Sequence, residues 1–241
     1  MRILALETSA KSVSAAVVED GALLAHSFQC TGLTHSRTLL PMVDAMLQNA
    51  ELPLESVDAF AVAAGPGSFT GLRIGVSALK GLAWAADKPC AGVSTLRAMA
   101  GNLAGFDGVA VCAMDARRGQ IYNALFALRG DAPERLCDDR AVTLEALADE
   151  LRGERRPLWI VGDGAALAHG FLTQNGVACT LAPAALRYQN AAQVALAAEP
   201  ILASGGGCDA QELAIAYLRV PQAERERSAR LARAAQAENE P

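Results

Sequence analysis

Apolar residues arrive along this chain in two alternating rhythms. Residues 3–8 and 13–18 are short runs rich in β-branched and small apolar side chains, the signature of buried strands. Asp20-Gly21 is a strong hairpin turn, and Ala22–Gln29 continues the meander. The rhythm then lengthens to a helical one over His35–Asn49, with Thr34 placed as N-cap. Pro41 cannot donate to the Arg37 carbonyl, which predicts a kink. A strand at 59–64, a helix at Phe69–Ala86, a strand at 90–93 and a helix at 95–102 follow. The glycine-bounded stretch 101–108 marks a boundary between lobes, and the pattern restarts after it. Strands are expected at 109–114 and Gln120–Leu128, a helix at 143–151, a strand at Leu158–Val161 and a helix at 164–175. An alanine-rich helix at 190–204 ends at Gly205-Gly206-Gly207. A hairpin opening each half, with helices after it, predicts two α/β lobes of related plan.

Between the 59–64 strand and the Phe69–Ala86 helix lies Gly65-Pro66-Gly67-Ser68-Phe69-Thr70-Gly71-Leu72-Arg73-Ile74-Gly75. Glycine and proline here set up a tight strand-to-helix turn. Such a turn can aim backbone N–H groups at an anion or serve packing alone. A P-loop is excluded because Thr70 stands where its second glycine belongs and Leu72 follows Gly71 in place of lysine. A dinucleotide fingerprint also needs glycine at position 70. A nucleophile elbow around Ser68 needs glycine at positions 66 and 70, which are Pro66 and Thr70. Ser68 therefore reads as a helix-start residue.

The two first-half helices carry more apolar surface than one core contact uses. On His35–Asn49, Leu39, Val43 and Met46 form a stripe, flanked by Met42 on one side and by Leu40 and Leu47 on the other. Together they span about 160° at ~100° per residue, against roughly 100° for a simple core-facing stripe. On Phe69–Ala86, one stripe is small (Gly71, Gly75, Ala78, Ala85) and another larger (Leu72, Val76, Leu79, Ala83). A mid-helix glycine costs about 1 kcal/mol relative to alanine, so close backbone approach is expected at Gly71 and Gly75. Arg73, Lys80 and Trp84 fall on the remaining face, where Trp84 is a candidate anchor. Two apolar faces call for two partners, the lobe's own sheet and a second chain. The alternative is burial wholly within this chain.

Composition narrows the chemistry. The chain has 241 residues, just over half of them hydrophobic, and a net charge of −5. That acidity argues against tight tRNA or other nucleic-acid binding by the chain alone. Arg219, Arg225, Arg227, Arg230 and Arg233 form a basic stretch near the C-terminus, broken by glutamates, and read as a solvated tail. No apolar run approaches a membrane span, and Met1-Arg2 leads into a strand without a signal-peptide layout, so a cytoplasmic, non-membrane protein is expected. The six cysteines form no C-x-x-C pair and are expected to be reduced. The histidines, His26, His35 and His169, lie on different elements, so no metal site is expected.

Residues 65–75, continued by Val76-Ser77 and Lys80-Gly81-Leu82-Ala83, resemble the signature of the TsaB (YeaZ) family. Ile3-Leu4-Ala5-Leu6-Glu7-Thr8-Ser9, Thr34-His35-Ser36-Arg37, Met114-Asp115-Ala116-Arg117-Arg118-Gly119-Gln120-Ile121-Tyr122 and Tyr217-Leu218-Arg219 are similar to further stretches of that family. The resemblance implies a two-lobed α/β fold of the actin, sugar-kinase and heat-shock ATPase superfamily (ASKHA), with lobes at 1–103 and 104–220 and a charged tail at 221–241. The 190–204 helix is placed to pack back on the first lobe.

The same resemblance implies a bacterial protein needed for N6-threonylcarbamoyladenosine in tRNA. Such a protein acts as the non-catalytic partner of TsaD together with the ATPase TsaE, pairs with itself when alone, and meets tRNA through the complex. It needs no cofactor of its own, with ATP or ADP allowed at a subunit junction. In the superfamily, hairpin turns bind nucleotide phosphates; here they are 7–11 and 115–119. Glu7, Thr8 and Asp115 are thus nucleotide-site candidates, and Glu7 with Asp115 could hold hydrated magnesium. Arg117-Arg118 in place of a glycine-rich loop marks that site as degenerate. TsaD holds its metal through two histidines four residues apart on its first helix; here His35 is followed at that spacing by Leu39. The partner-interface candidates are Thr34, His35, Arg37, Leu40 and Leu47 on the first helix. Those on the second are Phe69, Thr70, Leu72, Arg73, Val76 and Lys80. A stand-alone phosphotransferase or peptidase, and a homodimer unconnected with tRNA, are the competing functions.

Overall fold

Strand β1 (Arg2–Glu7) pairs antiparallel with β2 (Val13–Glu19), and β2 pairs antiparallel with β3 (Ala22–Gln29). The chain then crosses through helix α1 (His35–Asn49) to β4 (Ala59–Gly65), which lies parallel to β1. Helix α2 (Phe69–Ala86) leads to β5 (Cys90–Ser94), parallel to β4, giving the order β3-β2-β1-β4-β5. Residues 1–130 and 132–219 are described by this computed structural model. The arginine-rich stretch beyond Arg219 lies outside them.

After the short helix α3 (Thr95–Gly101), the plan repeats. Strands β6 (Gly108–Asp115) and β7 (Gln120–Leu128) form the second hairpin. Two short strands, β8 (Glu134–Arg135) and β9 (Arg140–Thr143), pair with β7 where β3 pairs with β2. Helix α4 (Leu144–Leu151), β10 (Leu158–Val161), α5 (Ala165–Gln174) and β11 (Thr180–Leu181) complete it, with β10 parallel to both β6 and β11. Helix α6 (Ala191–Ala203) follows.

Side-chain alternation in β1 explains the layering. Leu4 and Leu6 face α1 and α2, in a core with Leu39, Val43, Val76 and Leu79. Ile3 and Ala5 face the other way, onto Ala191, Val194, Ala195 and Ala198 of α6. The alanine face of α6 lets it lie close to the sheet. Helix α3 contributes Leu96 and Met99 to a core with Phe126 and Cys112 of the second sheet. Helices α4 and α5 cover that sheet's outer face. After α6 the chain returns to the first lobe, where Cys208 bridges to Cys90 and the Ala216 N–H donates to the Ala64 carbonyl at 2.8 Å. No helix among the described residues is long and apolar enough to cross a membrane.

Candidate functional site: the hairpin turns, their cleft and the α1–α2 face

The glycine-rich turn works by close packing against the first hairpin. A Cβ on Gly71 would meet the Thr8 carbonyl oxygen at 2.2 Å, and one on Gly75 would meet Thr8 Oγ1 at 2.3 Å. The Thr8 carbonyl cannot give way to a side chain at Gly71, and one at Gly75 would displace the Thr8 hydroxyl, so α2 passes the end of β1 at glycines. The Thr8 hydroxyl donates to the Gly71 carbonyl at 2.8 Å. The Ser68 N–H donates to the Ser9 carbonyl at 2.7 Å, and Ser68 Oγ accepts from the Gly71 N–H at 3.3 Å, capping α2. Gly65 has φ 130, and Ala216 lies where its Cβ would be. Donors that an anion would need at Ser68 and Gly71 are thus spent within the chain.

Between the two hairpin turns and the C-terminal segment lies a cavity of about 410 Å³. Ser9 and Lys11 line one side, Asp115 and Arg117 another, with Asp163, Tyr217 and Arg219 around them. Glu7 and Thr8, two of the nucleotide-site candidates, sit beneath this cavity, fully buried. Glu7 accepts from the Ser9 N–H at 2.5 Å. Burial pushes its carboxyl up to about 7, and the negative charge of Asp163 adds to the effect. Burial also raises Asp163, whose Oδ1 accepts from Gln189 Nε2 at 2.9 Å.

Asp115, the third candidate, turns its carboxylate back onto the Arg117 N–H at 2.7 Å. Arg117 and Arg118 hold left-handed backbone, φ 65 and 56, where a phosphate-binding turn would use glycine. Both Glu7 and Thr8 are buried: Thr8 packs on Gly71 and Gly75 of α2, while Glu7 holds the Ser9 N–H beside Asp163 and leaves Oε2 without a partner among the described residues. Asp163 and Gln189 went unnoticed in the sequence, since each sits in a loop with no periodicity to mark it. Arg219 Nη1 donates to the Ala116 carbonyl at 2.8 Å, tying the C-terminal segment to the second turn.

The interface candidates separate into three groups, with His35 apart from them. Leu47, Leu72 and Val76 are buried within this chain, with Leu72 1 % exposed; the expectation that they face a partner is corrected by their place in the first lobe's own core. Phe69, Arg73 and Lys80 carry residues 211–217 instead. Arg73 stacks on the Phe69 ring at 3.7 Å and donates to the Tyr217 hydroxyl at 3.1 Å, the Tyr217 ring lies 5.2 Å from that of Phe69, and Lys80 Nζ donates to the Gln211 carbonyl at 3.0 Å. Arg73 keeps a solvent-exposed side. Thr34, Arg37, Leu40 and Thr70 are open to solvent, with Leu40 51 % exposed. His35 Nε2 donates to the Ala10 carbonyl at 2.7 Å and fastens α1 to the first turn. Trp84 is 76 % exposed on the same side of α2 as Ser77 and Gly81. Among the described residues, no group of three or more His, Cys, Asp or Glu side chains is placed to hold a metal ion.

Two lobes with the same strand plan, hairpins facing a shared cleft and a helix between the sheets define a member of the actin, sugar-kinase and heat-shock ATPase class. The comparisons narrow it. The family model described as TsaD, tRNA N6-adenosine threonylcarbamoyltransferase, matches residues 29–225. The chain is 34% identical over 167 residues to the tRNA threonylcarbamoyladenosine biosynthesis protein TsaB of Bacillus subtilis, covering 69% of this chain and 73% of that one. It is 41% identical over 124 residues to the protein of the same name from Escherichia coli, covering 51% and 53%. The solved structure of YeaZ from Pseudomonas aeruginosa superposes with a TM-score of 0.77 at 27% identity, covering 90% of this chain and 99% of that one. The chain belongs to the TsaB (YeaZ) family.

Proposed function

We propose that this chain is a non-catalytic assembly subunit of the bacterial machinery that makes N6-threonylcarbamoyladenosine in tRNA. It binds a TsaD-type transferase through the open α1–α2 face, and a TsaE-type ATPase works with the pair. The observation that carries this reading is that each of the two helices leaves a large apolar side chain open to solvent. Leu40 on α1 and Trp84 on α2 are each more than half exposed, and on α2 Trp84 shares its side with the small, exposed Ser77 and Gly81, where another helix can approach closely. Large apolar anchors beside small residues suit a docking surface. A transferase sharing this family's fold offers matching helices, and a second copy of this chain would use the same patch by two-fold symmetry when the transferase is absent.

A stand-alone phosphotransferase needs both hairpin turns free to cradle phosphates. Thr8 and Ser9 are tied to α2 and its entry turn, while Asp115 is bound back onto Arg117. ATP or ADP in the assembly would accordingly sit at a subunit junction, with no cofactor required by this chain. A net charge of −5 leaves tRNA to the complex as a whole. A role on tRNA supports a cytoplasmic location.

Reconstitution tests the reading. Purified TsaD-type and TsaE-type proteins from the same source, supplied with substrates and tRNA, should form the modified nucleoside only when this chain is added. This chain alone should form none. Equal product without it, or turnover by the chain alone, would overturn the proposal.

A further inference from the structure

We propose that Cys90 and Cys208 form a reversible disulfide that fastens the C-terminal segment to the first sheet. Cys90 opens β5, and Cys208 lies on the segment that returns after α6. The two stand opposite one another in an antiparallel bridge. They exchange both backbone hydrogen bonds, Cys90 N–H to the Cys208 carbonyl at 2.9 Å and the reverse at 2.8 Å. Such a pair holds its Cα atoms about 5.5 Å apart, inside the range a disulfide spans. Both side chains leave on one face, and their sulfurs are 3.9 Å apart. Side-chain rotation covers most of the remaining gap.

The two thiols differ in access. Cys90 is fully buried, whereas Cys208 is partly exposed. Burial pushes the Cys90 thiol up to about 12, and a negative charge on Cys208 adds to the effect. Cys208 is therefore the point of entry for a reagent from solution. With a small-molecule disulfide such as oxidised glutathione, the Cys208 thiolate attacks one sulfur and expels a glutathione thiolate, which takes up a proton. Capping Cys208 removes its own contribution to the rise at Cys90, while burial keeps opposing Cys90 ionisation. The Cys90 thiolate then attacks the Cys208 sulfur and expels the second glutathione, again as its thiol. In sum, two protein thiols lose two hydrogens and two electrons, and one glutathione disulfide becomes two thiols. A partly exposed bond of this kind is open to reduction by the reverse steps, as befits a redox-responsive site in a reducing compartment.

The bond would add a covalent anchor to a segment held by polar contacts, a ring contact and the buried Ala210 and Leu213. From Cys208 it passes Lys80 at Gln211, the end of β4 at Ala216 and the Phe69 ring at Tyr217, reaching the second lobe at Arg219. It therefore runs from the edge of the first sheet to the mouth of the cleft.

The test uses the full chain carrying Cys30→Ser, because Cys30 is exposed and would cross-link copies. The protein is equilibrated with oxidised and reduced glutathione at stepped ratios, quenched in acid, alkylated and digested without reduction. The expected result is a peptide linked through Cys90 and Cys208, lighter by two hydrogens and released by dithiothreitol. Amides in residues 209–219 should exchange about tenfold more slowly in the oxidised form. Adding Cys208→Ser should abolish the linked peptide and leave Cys90 reduced, a control that stands even if Cys90→Ser does not fold. Accumulation of a Cys208–glutathione adduct beside a reduced Cys90 would overturn the proposal. So would linkage of Cys208 to another cysteine, or unchanged exchange in the linked protein.

Discussion

The two hairpin turns occupy equivalent places in two lobes of one plan, yet they have been used in opposite ways. In the first, Glu7 and Thr8 are fully buried, and α2 crosses Thr8 at Gly71 and Gly75. In the second, Asp115 stands at the cleft mouth and Arg117 and Arg118 are exposed in left-handed backbone. A repeated fold therefore does not imply a repeated site. The first lobe has committed its turn to holding a helix in place, and that helix carries the surface left for a partner.

Substitution at the close approach should break the comparison most strongly. In Gly71→Ala the new methyl meets a backbone oxygen that cannot rotate away, so a loss of about 3 kcal/mol is expected from urea denaturation. Gly119→Ala, in the second turn, has open space around it and φ 71, and should cost only about 1 kcal/mol. Equal losses would show that the turns do not differ in packing.

Glu7 sharpens the contrast through pH. Its folded value is raised to about 7 from 4.5, so the native state holds more protons than the unfolded chain across that interval. The stability it contributes is full below pH 4.5 and is lost as pH rises through 7. Glu7→Gln should match the parent at pH 4 and exceed it at pH 8 by on the order of 3 kcal/mol. Parallel stability–pH curves for parent and variant would remove Glu7 as their cause. A smaller effect is expected at the C-terminal segment. Tyr217→Phe keeps the ring on Phe69 but deletes the acceptor for Arg73, and should lower stability by about 0.5–1 kcal/mol in thermal melting. No change would mean that solvent replaces this bond at no cost.

Much of the scaffold was readable in the residues. Helices His35–Asn49 and Phe69–Ala86 begin and end where the pattern placed them, because the apolar rhythm runs unbroken; Ser68 caps the second, whereas Thr34 holds the N-cap position of the first without a side-chain cap bond. The glycines of α2 announced a close approach, and Thr8 proved to be its object. Strands β8, β9 and β11 were missed, being too short to show a period. The partner surface was legible only in part. Phe69, Arg73, Val76 and Lys80 form one stripe of α2, but what covers much of it comes from residues 131 and 144 positions further along the chain. No local pattern could report that. Leu72 and Leu40 look alike in the sequence, and only the packing separates a core residue from an exposed one.

The exposed α1–α2 face is the central claim, and affinity for a TsaD-type partner tests it most directly. The double variant Leu40→Glu, Trp84→Glu should keep the parent's melting temperature, because both side chains lie largely in solvent. It should bind the partner at least about 30-fold more weakly, the loss of roughly 2 kcal/mol expected of a central anchor. A double variant that melts like the parent and binds with undiminished affinity would contradict the account.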